Sequence, residues 1–252
     1  MYFLKIIVIL LFVWESVFAN DKDFEQIFKN SNIKGTFVLA SLESKEKYIY
    51  NRKRALTQYI PASTFKIPNT LISLEEKIIN DEYETIQWDG KIRDYEPWNK
   101  DQNLQTAIAV SCVWCYNRFA KKIGKEKYLE YLQKMDYGNH KVGEHISKFW
   151  LTGDIKISAV QQIEFLQRLY KNQLPFEQKN IDILKKILIV EQNDNYIIRA
   201  KSGWSGTIGW YVGYIQKSNR VWFFAFNGEI SKEQLIYRKQ IVMDALKIKN
   251  IL

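Results

Sequence analysis

Strand-forming segments lie near both ends of this 252-residue chain, whereas helix-forming segments fill its middle. Residues that favour strands are concentrated in five short runs: 35–40, 47–50, 196–200, 209–215 and 221–226. The short connections between neighbouring runs favour antiparallel pairing. We therefore expect an α+β fold in which both ends of the chain build one antiparallel sheet lobe, about 20–60 and 181–252. A helical lobe, about 61–180, is inserted between them.

The central part of the chain carries apolar residues at helical spacing. Such spacing follows Pro68 over residues 71–79 and recurs at Tyr128, Leu129, Leu132 and Met135. Ser158 and Gln161 form a capping box that predicts the start of another helix. A cleft between a sheet lobe and a helical lobe is the expected place for a binding site.

The N-terminus has the pattern of a secretory signal peptide over residues 1–19. One basic residue, Lys5, precedes an apolar run over 6–14, and Val17-Phe18-Ala19 is a suitable cleavage site. The run is short for a membrane span, although an uncleaved anchor is the alternative. We expect a protein exported to the periplasm, with residues 20–252 forming a single domain that is not inserted in the membrane.

The charge of the chain is basic, with 37 Lys and Arg against 28 Asp and Glu and a net charge of +9. Such a surface favours anionic ligands or an anionic wall or membrane surface. The lysines are scattered through helical segments rather than clustered, so most of them are expected to be solvated and no nucleic-acid partner is predicted.

Cys112 and Cys115 form the only Cys-x-x-Cys pattern. A redox pair is expected at a helix start after a strand, and a zinc site needs two further ligands. Neither context is evident, so two buried thiols on one helix are the favoured interpretation.

A hydroxyl and an amine stand three residues apart in Pro61-Ala62-Ser63-Thr64-Phe65-Lys66, where a helix is expected to begin. Residues at i and i+3 share a helix face, so Lys66 can lie beside Ser63 and accept its proton. The spacing alone is weak evidence, because Ser31 with Lys34 and Ser44 with Lys47 have it too.

Three further segments are candidates to meet Ser63 in the cleft. They are Ser111-Cys112-Val113, Lys201-Ser202-Gly203 at the end of a predicted strand, and Arg238 in the last predicted helix. Each has a simple structural explanation as a helix cap, a strand end or a surface charge. Their order along the chain, together with the predicted elements, makes chance a poor explanation.

These motifs together resemble those of the class D serine β-lactamases, the oxacillinase group, along nearly all of residues 20–252. Ser111-Cys112-Val113 corresponds to the Ser-x-Val of that family, where class A enzymes and penicillin-binding proteins have Ser-Asp-Asn. The other matching segments are Tyr137-Gly138-Asn139, Phe149-Trp150-Leu151, Lys201-Ser202-Gly203 and Gly209-Trp210-Tyr211-Val212-Gly213. The resemblance implies a fold like that of serine β-lactamases and penicillin-binding proteins.

The resemblance also implies a role for each residue. Ser63 would be the nucleophile, Lys66 the general base after carboxylation by carbon dioxide or bicarbonate, and Ser111 a proton relay. Lys201 would be a further catalytic residue and would bind the substrate carboxylate together with Arg238. Trp150 and Leu151 would support the base. The substrate-binding residues would be Arg238, Trp204, Val113 and Ser202. The expected partner is a small β-lactam, the expected assembly is a monomer or a homodimer, and no metal or other cofactor is expected.

Three other functions remain open on these residues. A penicillin sensor of the same fold is acylated without turnover, but such domains normally belong to a receptor with several membrane spans. A transpeptidase or carboxypeptidase shares Ser-x-x-Lys and Lys-Thr/Ser-Gly but lacks the base supported by Trp150. A non-catalytic wall-binding protein would use only the basic surface.

Overall fold

The computed structural model describes residues 22–44 and 46–252, so the predicted signal peptide over 1–19 lies outside the described residues. One six-stranded antiparallel sheet has the strand order β2-β1-β6-β5-β4-β3. Its strands are β1 (Lys34–Ser41), β2 (Lys47–Tyr50), β3 (Ile189–Gln192), β4 (Tyr196–Trp204), β5 (Ile208–Lys217) and β6 (Arg220–Glu229). The α+β fold with an antiparallel sheet from both ends of the chain is therefore confirmed.

Ten α-helices accompany this sheet in the described residues. They are α1 (Lys22–Ser31), α2 (Arg52–Leu56), α3 (Lys66–Glu75), α4 (Leu104–Ala109), α5 (Val113–Ile123), α6 (Lys125–Lys134), α7 (Phe149–Thr152), α8 (Ala159–Tyr170), α9 (Gln178–Ile187) and α10 (Tyr237–Ile248). Three 3₁₀ turns lie at Ala62–Phe65, Glu96–Trp98 and Glu233–Ile236. The predicted capping box is present, because Ser158 and Gln161 exchange side-chain and backbone hydrogen bonds at the start of α8.

Both faces of the sheet are buried, which explains why its central strands are apolar at nearly every position. Successive side chains of a strand point to opposite faces. Tyr211 and Phe224 pack in the cluster that includes Phe24 of α1 and Val242 of α10, whereas Val212 packs with the central helices. The sheet therefore separates the two terminal helices from the inserted helices.

Helix α3 passes through the middle of the inserted helices, and every residue from Lys66 to Leu74 is buried. It begins at Lys66, within the segment where the sequence predicted a helix start, and Pro68 stands in its first turn. A proline is tolerated there, since the first backbone N–H groups of a helix have no intrahelical acceptor. Within residues 22–44 and 46–252, no helix has the length and apolar character needed to cross a membrane.

Candidate active site

Ser63 and Lys66 are in direct contact at the start of α3. Ser63 lies in the 3₁₀ turn Ala62–Phe65, which leads into α3 at Lys66. The Lys66 Nζ donates a hydrogen bond of 3.1 Å to the Ser63 Oγ. The backbone before the nucleophile is unusual, since Ala62 has a φ of 49°, in the left-handed region that non-glycine residues rarely adopt. The turn thus places a hydroxyl that lines a cleft beside an amine that is completely buried.

The environment of Lys66 favours its neutral form. The side chain is completely buried, and burial lowers the pKa of its amine well below the ordinary value. The nearby positive charge of Lys201 lowers this pKa further. The ring of Tyr116 covers the amine, with 5.1 Å between Nζ and the ring centroid.

Tyr116 was not among the residues that the sequence pointed to. It lies one turn after Val113 on α5, so helical spacing places both on one face of that helix. Its hydroxyl forms a hydrogen bond of 2.7 Å with the Thr70 Oγ1, one turn after Lys66 on α3. Burial raises the pKa of the Tyr116 phenol, so this group stays protonated. The pair fixes the ring against the Lys66 amine.

Ser111 and Lys201 form a second hydroxyl–amine pair. Ser111 lies in the turn between α4 and α5 and has a φ of 53°. The Lys201 Nζ, at the inner face of β4, donates hydrogen bonds to the Ser111 Oγ and, at 3.1 Å, to the Ser202 carbonyl. Burial, with a smaller contribution from the charge of Arg238, lowers the pKa of Lys201 to about 7.

Gly203 allows strand β4 to approach the nucleophile. A Cβ atom at this position would lie 3.2 Å from the Ser63 backbone nitrogen and 3.0 Å from the Pro61 carbonyl oxygen. Such distances are tighter than most contacts that a Cβ atom makes, so a glycine favours this close approach. The backbone of β4 therefore runs directly beside Ser63.

Arg238 lies at the C-terminal end of strand β4. It lies in the first turn of α10, where Nη1 donates to the Gly203 carbonyl at 3.0 Å and Nε donates to the Leu235 carbonyl at 2.9 Å. These bonds leave part of the guanidinium facing the cleft, of which Arg238 is a lining residue. The Trp204 indole donates to the Ile230 carbonyl at 3.2 Å, which holds this side chain at the rim.

Trp150 lies on the short helix α7, which packs against the 3₁₀ turn that carries Ser63. Its ring stacks on Phe65, and it is completely buried. Its Nε1 has no hydrogen-bond partner among the residues that the structure describes. A buried N–H group without an acceptor is costly, which makes this donor a candidate to bind a further group.

A cleft of about 670 Å³ joins these elements. The predicted residues that line it are Ser63, Ser111, Val113, Leu151, Ser202, Trp204 and Arg238. The other predicted residues, Lys66, Lys201 and Trp150, are buried. Tyr95, Trp98 and Leu235 also line the cleft.

The two cysteines correct one expectation. Both are completely buried, as expected, but they are joined in a disulfide instead of being free thiols. Cys112 is the N-cap of α5 and has non-helical backbone angles, φ −52° and ψ 103°. The two Cα atoms are 5.5 Å apart, a distance that suits a disulfide.

Metal ligands are not clustered in the described part of the chain. Across residues 22–44 and 46–252, no three side chains of His, Cys, Asp or Glu are grouped so that they could hold a metal ion.

Comparison with protein families matches residues 20–247 to the penicillin binding protein transpeptidase domain. Among curated relatives, the chain is 39% identical over 237 residues to β-lactamase OXA-48 of Klebsiella pneumoniae, covering 92% of this chain and 89% of that one. It is 42% identical over 222 residues to β-lactamase OXA-5 of Pseudomonas aeruginosa, covering 85% and 83%.

Solved structures give the same result. The class D β-lactamase FUS-1 (OXA-85) of Fusobacterium nucleatum superimposes with a TM-score of 0.90 at 39% identity, covering 92% of this chain and 99% of that one. The class D β-lactamase YbXI from Nostoc superimposes with a TM-score of 0.89 at 38% identity, covering 91% and 99%. Sequence and structure similarity therefore extend over almost the whole described chain.

Proposed function

This chain belongs to the class D β-lactamases, a family of hydrolases, and from that premise we propose that it opens β-lactams through an acyl-enzyme on Ser63. Its relatives support β-lactam hydrolysis as the activity. The observation that carries the mechanism is the buried Lys66 amine, 3.1 Å from the Ser63 hydroxyl. A neutral amine there can accept the proton that Ser63 must lose.

In the first step the Ser63 Oγ attacks the β-lactam carbonyl carbon, and the ring C–N bond breaks as an ester forms. The proton of Ser63 goes to the base at Lys66. The ring nitrogen takes a proton from Ser111, which is replenished from Lys201 through their hydrogen bond. Backbone N–H groups of Ser63 and Trp204 would stabilise the negative oxygen, since Gly203 brings β4 beside Ser63. A water then hydrolyses the ester.

We propose that Lys66 is carboxylated on Nζ, which requires the neutral amine that its environment favours. The pocket fits such a group, because the Trp150 Nε1 is a buried donor that lacks an acceptor among the described residues. The added carboxyl group would supply an anionic oxygen base beside Ser63. Leu151 and Val113, at the wall of the cleft, would limit the access of water to this base.

The substrate carboxylate would bind at the end of the cleft where Lys201, Ser202 and Arg238 meet. Arg238 suits a carboxylate because its planar guanidinium can donate two parallel hydrogen bonds. The apolar walls formed by Trp98, Val113 and Trp204 would contact the side chain of the antibiotic.

Turnover of a chromogenic cephalosporin tests this proposal. We expect many turnovers per enzyme, whereas a penicillin sensor would give one acylation and a passive wall-binding protein none. Lys66→Ala should abolish turnover. Lys34→Ala is the matched control, because Ser31 and Lys34 share the Ser-x-x-Lys spacing far from the cleft. Full activity of Lys66→Ala would refute the assignment of the base.

We further propose that residues 1–19 direct export and that residues 20–252 act as one catalytic domain in the periplasm, as a monomer or a homodimer. The intact mass of the protein recovered from a periplasmic extract would give the cleavage site. Its molar mass in solution, measured by light scattering, would give the assembly. A full-length chain retained in the membrane fraction would contradict cleavage and would instead support the uncleaved anchor.

A further inference from the structure

The Cys112–Cys115 disulfide stands at the start of α5, directly after Ser111. Cys112 is the middle residue of the Ser111-Cys112-Val113 motif, so it lies between the proposed proton relay, Ser111, and a wall residue of the cleft, Val113. Both sulfur-bearing residues are completely buried, and this shields the bridge from reductants in solution.

Ser111 has a backbone conformation that must be enforced by its surroundings. Its φ of 53° is in the left-handed region, where a non-glycine residue remains only when neighbouring contacts hold it. On the side of α4, the Ser111 N–H donates to the Ile108 carbonyl at 3.3 Å and the Cys112 N–H donates to the Ala107 carbonyl at 2.8 Å. On the side of α5, the disulfide and a 3.2 Å bond from the Cys115 N–H to the Cys112 Sγ hold the next residue.

The bridge is poorly suited to stabilising the fold as a whole. The stabilisation that a disulfide provides by restricting the unfolded chain increases with the length of the loop that it closes. This bridge closes a loop with only two intervening residues, Val113 and Trp114. Its main effect is therefore local, on the turn that carries Ser111.

We propose that the Cys112–Cys115 disulfide is a positioning device that holds the Ser111 hydroxyl toward Lys201, so that protonation of the leaving nitrogen depends on the bridge. The proposal rests on the role given above to Ser111. The bridge forms when two thiols lose two protons and two electrons to the disulfide of a protein thiol oxidase, which becomes a dithiol. Cys112 and Cys115 are positioning residues, because neither lines the cleft.

The test compares Cys112→Ala, Cys115→Ala and the double variant in protein recovered from the periplasm. Acylation and deacylation rate constants are measured separately by rapid mixing. We expect the acylation rate constant to fall by about tenfold, a part of the 10²–10⁴-fold typical of a general acid. We expect deacylation to change less than about twofold. Because one bond is lost in all three variants, the single and double variants should be equally slow.

The decisive comparison combines the cysteine substitutions with Ser111→Ala. Removing the bridge in this background should slow acylation no further, since the hydroxyl to be positioned is already absent. An equal further loss there, normal acylation in the bridge variants, or an intact mass with two additional hydrogens in the wild type would overturn the proposal. Normal acylation by Ser111→Ala alone would contradict the proton-relay role of Ser111. Slow acylation by Ser111→Ala together with normal acylation by the cysteine variants would contradict only the positioning role of the disulfide.

Discussion

Trp150 stacks on Phe65, the residue directly before Lys66, with ring centroids 5.9 Å apart and ring planes inclined by 14°. The stacking fixes an indole N–H that has no acceptor among the described residues. This N–H is the donor that we propose for the carboxylated side chain of Lys66, which follows Phe65 in the sequence.

Trp150→Phe should keep the stacked ring and remove only the donor. A hydrogen bond to a charged group contributes about 1.5–3 kcal/mol, so the carboxylated form of Lys66 should be roughly 10–150-fold less favoured. We expect low activity at ambient bicarbonate and partial recovery when bicarbonate is added. Steady-state rates with a chromogenic cephalosporin across a bicarbonate series would measure this.

The control for that variant is Trp222→Phe, because Trp222 packs on the opposite face of the sheet, with α1 and α10. It should keep both the activity and the bicarbonate response of the wild type. A Trp150→Phe enzyme with wild-type activity at low bicarbonate would show that the indole does not support the base.

The pH dependence of activity follows from the lowered pKa of Lys66. Above this lowered pKa the amine is neutral and can add carbon dioxide, whereas below it the amine holds a proton and cannot. Activity should therefore fall as the pH decreases through the folded-state pKa. Added bicarbonate should move this fall to lower pH, because carboxylation competes with protonation. An acid limb that is the same at every bicarbonate concentration would contradict the carboxylation.

Stability should respond to Lys201 in a defined direction. Its folded-state pKa is about 7 against an ordinary value of 10.5, so between these values the unfolded chain binds more protons than the folded chain. The free energy of unfolding should therefore rise with pH in that window. The free energy of unfolding, measured by urea titration, should rise less between pH 7 and pH 9 in Lys201→Met than in the wild type. The control is Lys34→Met, at an exposed position, which should show the wild-type rise. Equal slopes in wild type and Lys201→Met would be inconsistent with a buried, proton-releasing amine.

Gly203→Ala should separate β4 from the nucleophile. The added methyl group would meet backbone atoms of Pro61 and Ser63, which cannot move without shifting the 3₁₀ turn. Loss of one donor of an oxyanion hole costs about 10²–10³-fold in rate, and we expect acylation to fall toward that range. Gly143→Ala is the control, since its Cβ would meet a side-chain oxygen of Asp154, which can rotate away. Unchanged acylation in Gly203→Ala would show that the close approach is not needed.

The sequence predicted those parts of the fold that depend on local patterns. Lys66 faces Ser63 because helical spacing requires it, and the β1–β2 hairpin follows from two strand runs around a polar turn. No local sequence pattern predicts that β1 pairs with β6. This pairing places Phe37 opposite Phe226, and these two residues are separated by most of the chain.

In the site, too, local spacing was predictable from the sequence, whereas contacts made by tertiary packing were not. Spacing on α5 could place Tyr116 on the face of Val113, but only the packing of α5 against α3 puts its ring over Lys66. The disulfide was missed because two cysteines at i and i+3 were assumed to lie on a regular helix. Cys112 instead precedes α5 as its N-cap, in a conformation determined by the turn at Ser111.

Arg238→Ala should weaken binding of the substrate carboxylate more than it slows chemistry. Removing a hydrogen bond to a charged group costs about 1.5–3 kcal/mol, which corresponds to a KM roughly 10–150-fold higher. We expect kcat to change much less, because Arg238 takes no part in the hydrogen bond between Ser63 and Lys66. A methyl ester of the same cephalosporin is the matched control, since it lacks the carboxylate. Wild type and variant should hydrolyse the ester with similar kcat/KM, and an equal defect on both substrates would mean that Arg238 supports β4 rather than binding the carboxylate.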